Sequence, residues 1–179
     1  MEDRLFQSQN SSADDSFDGV YTMETLVHAS EPERALGEFF RVISPWGVIT
    51  LHEYDHPDFK KYPKDLLESL KQIDKIASMP LERMAFQGVL PRMLKEQGFF
   101  DVRVEDLSAN IEPLLDLFFL VGYVPYFFIR LLGLQALFIN IQAGVQGCRL
   151  LKRRLGRYIV VKASKPVNQI SSSSQASLE

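Results

Sequence analysis

FDGVYTMETLVHASEPERALGEFFRVISPWGVITLHEYDH, residues 17–56, is the stretch whose reading decides the fold. Phe17 to Tyr21 is a short apolar run suited to a strand buried on both faces, and Val48 to Tyr54 is a second run of the same kind. Helix signals lie between them. Ser30 is a good N-cap, Glu33 completes an S-x-x-E capping box, Pro32 fits the first turn, and Leu36, Phe39, Phe40 and Ile43 recur at helical spacing. Ser44-Pro45-Trp46-Gly47 stops the helix. Two strands joined by one crossover helix lie parallel, and in open parallel sheets ligands sit beyond the carboxyl ends of the strands. Polar residues stand there: Thr22, Glu24 and His28 after the first strand, and His52, Glu53, Asp55 and His56 in or after the second.

If Thr22 begins a helical turn, the spacing of Glu24 and His28 places both side chains on one face, within reach of a common ligand. A carboxylate and an imidazole so placed suit proton removal. The competing reading makes Glu24 a local cap or ion pair and gives His28 a loop carbonyl. His52 and Glu53 are neighbours on a strand and point to opposite faces, so a metal site is not expected from them. They are expected to line the rim of a cleft.

Outward from this unit, 57–63 reads as a loop and 64–77 as an amphipathic helix. Pro91 opens a further helix that Gly98 closes. FDVRVEDL, residues 100–107, alternates like a strand buried on one face, and RYIVVKAS, residues 157–164, reads as the last strand. Between them, 113–141 carries only two charges, Asp116 and Arg130. Its length raises a membrane span, whereas Pro125, Gly122 and Gly133 divide it into pieces of hairpin length. A hydrophobic lid or membrane-facing helix pair over 113–148 and an ordinary buried segment are the other readings. Arg149, Lys152, Arg153, Arg154 and Arg157 follow directly, as a lipid-facing cap or a solvated turn would have them.

The 179 residues predict one domain, and a net charge of −3 with 24% charged residues describes an ordinary surface. The aromatic residues of 118–128 lack a basic groove, so nucleic acid is not an expected partner. One cysteine, Cys148, excludes an internal disulfide and fits a reducing, cytoplasmic setting. Residues 1–16 read as loop or disorder, 17–166 as the domain, and the Ser-rich 167–179 as a disordered tail.

FDGVYTMETLVHA followed by EFFRVISPWGVITLHE resembles the second half of the class I S-adenosylmethionine-dependent methyltransferases, particularly the sterol and small-molecule C-methyltransferase branch. The likeness covers roughly residues 16–108. Trp46 stands where that family has the first Gly of its turn. The family's glycine-rich loop and following acidic residue have no counterpart, because the ten glycines contain no G-x-G pair. The resemblance implies an α/β, Rossmann-like methyltransferase sheet, truncated of its glycine-rich N-terminal half, with the apolar helical insertion before an antiparallel last strand. It implies S-adenosyl-L-methionine as cofactor near Thr22 and Met23, with Asp14 or Asp15 where an acidic residue touches the adenine. Glu24 and His28 become the catalytic pair. A hydrophobic acceptor such as a sterol, terpenoid or polyketide is then contacted by Tyr21, Glu53, Tyr54, Tyr123 and Phe127. A half-sheet also leaves the edge at Phe17 to Tyr21 unpaired, which predicts a dimer or a complementing chain. The alternative is a non-catalytic remnant that binds a membrane, peripherally, or another methyltransferase chain.

Overall fold

The strand β1 (Phe17–Met23) pairs in parallel with β2 (Ile43–Asp55), with Gly19 opposite Val48 and Met23 opposite His52. Gly19 is required here. A Cβ on it would stand 2.8 Å from the Val48 carbonyl oxygen. The computed structural model describes residues 12–57, 85–134, 137–152 and 154–167, and the expected helix at 64–77 lies outside them. After β1 come a 3-10 turn (Leu26–His28), α1 (Pro32–Val42) and β2. Then follow α2 (Val89–Glu96), β3 (Phe100–Asp106), α3 (Ser108–Leu131), α4 (Ile139–Lys152) and β4 (Arg157–Ser164).

The strand order is β1-β2-β4-β3, with β4 antiparallel to both neighbours. Because β4 reverses between them, β2 and β3 run the same way. The carboxyl ends of β1, β2 and β3 therefore share one end of the sheet with the start of β4. α1 and α2 cover one face, where Leu36, Leu94 and Phe99 bury Ile49, Leu51 and Val161. The second face is different. Tyr21, Trp46, Val48 and Phe100 are exposed on the strands, so β1 is not buried on both faces as its apolar run suggested. Only Val20 of β1 packs against the core cluster.

Several local signals resolve differently from their sequence reading. The capping box does not form: Glu31 is the N-cap of α1 and makes no side-chain cap hydrogen bond, while Pro32 does occupy the first turn. Ile43 belongs to β2 rather than to the helix, and the Ser44 to Gly47 stop signal lies inside that strand. α2 begins two residues before Pro91 and ends, as expected, ahead of Gly98 (φ 101°). In β3 a register shift between Phe100 and Arg103, with Asp101 at φ 51°, breaks the alternation: Val102 meets the core, while Phe100 and Val104 are exposed.

The apolar insertion is a helical hairpin. α3 runs unbroken through Gly122 and Pro125 and ends before Gly133 (φ 69°), so only the last of the three expected breaks is one. It leaves β3 and α4 returns to β4, so the hairpin stands at the carboxyl end of the parallel strands. Asp14 and Asp15 lie at the other end. Asp14 pairs with Arg41 and Asp15 accepts from the Lys165 ammonium at 2.6 Å.

Candidate functional site

β1 ends in a strained turn. The Glu24 N–H donates to the His52 carbonyl at 2.8 Å, and Glu24 takes a left-handed backbone (φ 50°) that costs a non-glycine residue about 1 kcal/mol. The Thr25 hydroxyl donates to the Met23 carbonyl at 2.8 Å, and the 3-10 turn follows. Strand geometry thus extends two residues past Tyr21. The helical turn that would have set Glu24 and His28 four apart on one face is not formed. His28 is exposed, and among the described residues no hydrogen bond or ion pair joins it to Glu24.

The turn is held from β2. Glu53 is buried, and its Oε1 accepts the Leu26 N–H at 2.9 Å. Burial is the main reason its carboxyl rises from 4.5 to about 7; the turn's N–H groups oppose the rise and the Glu24 charge adds to it. Glu53 also lines a small hollow with Val27, Ala85, Phe86, Leu90 and Ile159. The rim residue expected from the sequence is therefore an anchor with one side on a hollow. Asp55, two residues on along the same face, forms a bidentate pair with Arg157 at 2.9 and 2.5 Å.

The other face of these strand ends carries rings. His52 lies 5.3 Å from Tyr21 and 6.0 Å from Tyr158, and Tyr54 lies 4.9 Å from Tyr158, its partner in the antiparallel register. Glu24 closes the group. The Tyr54 phenol is pushed up by burial, by the Glu24 charge and by its hydrogen bond to the Glu24 carboxylate. Tyr158 is pushed up by burial and then by Glu24. The root of the hairpin is tied to the same place, since the Tyr158 N–H donates to the Ser108 hydroxyl at 3.0 Å and the Leu107 N–H to the Tyr158 carbonyl at 2.8 Å.

Of the residues singled out in the sequence, the structure brings Tyr21, Glu24, Glu53 and Tyr54 to one end of the sheet. Thr22 adjoins them, its hydroxyl oxygen buried and without a hydrogen-bond partner among the described residues, and Met23 is exposed. Tyr123 and Phe127 do not join. Tyr123 stacks on Phe119 at 5.3 Å beneath Arg149, and Phe127 meets Phe128, so both make their ring contacts within the hairpin. The His56 ring sits edge-on to Phe86 with Nδ1 3.0 Å from the Pro57 carbonyl oxygen. Among the described residues no three His, Cys, Asp or Glu side chains gather to hold a metal. Tyr158 was missed from the sequence because only strand pairing sets it opposite Tyr54.

The geometry matches known proteins. Residues 6–51 match the family described as a methyltransferase domain. The cyclopropane synthase MmaA2 from Mycobacterium tuberculosis superposes with a TM-score of 0.68 at 14% identity, over 85% of this chain and 56% of that one. The fold is that of the class I methyltransferases. In sequence, this methyltransferase-fold chain is 39% identical over 155 residues to the S-adenosyl-L-methionine-dependent Diels-Alderase iccD of Talaromyces variabilis, across 84% of the chain and 52% of that protein. It is 31% identical over 101 residues to a sterol 24-C-methyltransferase of Yarrowia lipolytica, across 54% of the chain and 25% of that protein. The chain spans about half the length of the first relative and a quarter of the second. Its relatives thus include methyltransferases and a cyclase that depends on the same cofactor.

Proposed function

We propose that this chain takes part in S-adenosylmethionine-dependent methyl transfer to a hydrophobic small molecule. The observation that carries the reading is the group of Tyr21, His52, Tyr54 and Tyr158 rings at the carboxyl end of the parallel strands, beside the turn in which the Glu24 N–H donates to the His52 carbonyl. Rings there supply an apolar wall for an oily acceptor, and Glu24 is placed to accept the proton the acceptor loses. Tyr54, with its phenol kept protonated, orients that carboxylate. Glu53 fixes the turn that carries Glu24.

The residues described fit the donor at one end only. Thr22 offers a buried hydroxyl without a partner and Met23 an exposed edge, which suits contact beside β1. The sequence has no G-x-G loop to cradle the remainder. S-adenosylmethionine, when bound, would supply an activated methyl group. Titration calorimetry of S-adenosylhomocysteine tests the fit, and we expect binding far weaker than micromolar for the chain alone.

Transfer of labelled methyl from S-adenosylmethionine into a lipid extract tests the activity. We expect Glu24→Gln to lower turnover about a hundredfold or more, the scale of a lost proton acceptor. His28→Asn is the companion variant: a comparable loss would restore the pairing of the two residues, and full activity would remove His28 from the chemistry. Persistent turnover in Glu24→Gln would end the proposal.

The 39% identity to a Diels-Alderase favours a second reading, cyclisation of a bound polyene with no methyl transferred. Product analysis separates the two: an isomer of the substrate mass supports cyclisation, and a mass gain of one methyl supports transfer. Under either reading β1, which pairs only with β2 among the described residues, offers a free edge for one further strand, and sedimentation velocity reads whether a second copy takes it.

A further inference from the structure

The outer face of the α3–α4 hairpin is not used by the chemistry above, and its composition specifies a partner. α3 turns Leu115, Tyr126 and Ile129 inward, where they are buried, and Gly122 in the same row lets a Val145 methyl of α4 within 3.4 Å of where a Cβ would be. The charges in the body of the helix turn away from the outer face. Asp116 pairs with Lys152 of α4, and Arg130 donates to the Tyr126 hydroxyl at 3.4 Å. The opposite face keeps Leu117, Leu120, Val124, Phe127, Phe128 and Leu131, each more than half exposed and none charged. That row is about 22 Å long at the rise of an α-helix.

The sequence that follows the row is basic. Residues 139–157 hold five Lys and Arg and no Asp or Glu, in a chain whose net charge is −3. Arg149 spreads over the rings of Phe119, Tyr123 and Tyr126, and Arg154 is exposed at the end of α4. Lys152 is paired with Asp116 and Arg157 with Asp55, which leaves Arg154 exposed where the hairpin returns to the sheet. An uncharged aromatic and aliphatic face on a hairpin that ends in a basic segment fits the interface of an anionic bilayer. Among the described residues, α3 is the one helix long and apolar enough to cross a membrane. The hairpin argues for lying on it: α4 must return to the same sheet end, and its 14 residues, with Arg149 and Lys152 in the last turn, fall short of the roughly 20 that a span needs.

We propose that the outer face of α3 docks peripherally in the interface of an anionic phospholipid membrane. The contact is independent of which reaction the chain serves. The test is co-sedimentation with vesicles of phosphatidylcholine alone and of phosphatidylcholine mixed with phosphatidylserine. The chain is expected to pellet with the mixed vesicles and to be released by alkaline carbonate. The double variant L120D/F127D, at exposed positions, should keep the wild-type melting curve and lose partitioning about tenfold or more. Arg154→Glu should weaken binding to the mixed vesicles alone. A reporter Leu120→Trp in a Trp46→Phe background should shift to the blue on mixed vesicles, whereas Trp46 of the wild type, at the far end of the sheet, should not. Retention in the supernatant with both vesicles, equal partitioning of the charged variant, or resistance to carbonate would overturn the proposal. So would a wild-type dimer that the charged variant dissociates while neither binds vesicles, since a second copy would then be the partner.

Discussion

Glu53 Oε1 accepts the Leu26 N–H at 2.9 Å across 27 residues of sequence, so a side chain of β2 holds the turn that leaves β1. The carboxyl does this from a buried position that raises it from 4.5 to about 7. A folded-state value above the unfolded one means the native protein binds the proton more tightly. Stability is then full below about pH 4.5 and declines as pH rises towards 7, by about 3 kcal/mol if the whole shift is realised. Thermal melts of wild type should show that decline, and Glu53→Gln, which can still accept from Leu26, should flatten it.

Tyr54→Phe removes the phenol, which burial and the Glu24 charge push up, and leaves the ring against Tyr158. Turnover in the labelled-methyl assay should drop about tenfold, the scale of a misoriented proton acceptor, with the melting temperature little changed. Unchanged turnover would remove Tyr54 from the site.

Lys165 is buried, and its ammonium donates to Asp15 Oδ1 at 2.6 Å and to the Phe40 and Ile43 carbonyls at 2.7 Å. It closes the C-terminal end of α1 and ties the chain ahead of β1 to the end of β4. Lys165→Met leaves those acceptors without their donor and should cost about 2–4 kcal/mol in chemical denaturation.

Asp55 and Arg157 form the bidentate pair joining β2 to β4, with the carboxylate side chain 5% exposed. Asp55→Ala should cost about 3 kcal/mol because it strands a partly buried guanidinium. The double variant D55A/R157M should recover part of that loss, read as a coupling energy in a double-mutant cycle.

Trp46 holds a left-handed backbone (φ 67°) at the position where the resembling family has Gly, and its ring meets Phe100 edge-on at 5.9 Å. Trp46→Gly relieves about 1 kcal/mol of backbone strain and loses a ring contact of similar size. The denaturation midpoint should stay within the equivalent of about 1 kcal/mol, and a larger loss would show that the exposed ring is doing more than packing on Phe100.

The sequence by itself determined the parallel β1–β2 pair, the crossover helix, the end at Gly98 and a last strand at 157–164, while the antiparallel direction of that strand came from the likeness to the methyltransferases. The parallel pair, its crossover helix and the strand at 157–164 follow from local signals: apolar runs of strand length, Pro32 at a helix start, and a spacing too long for a hairpin. The tertiary structure decided which face of the sheet is covered, and so which apolar residues of β1 and β3 are exposed. It also decided the site. Glu24 stands beside the rings of the strand ends rather than on a helical face with His28 because the strand runs on to Met23, the His52 carbonyl holds the Glu24 N–H, and the antiparallel register sets Tyr54 opposite Tyr158. The ring contacts join residues 31 to 106 positions apart, and no local spacing encodes them; they exist only once hydrogen-bonded pairing has fixed which strand ends lie side by side.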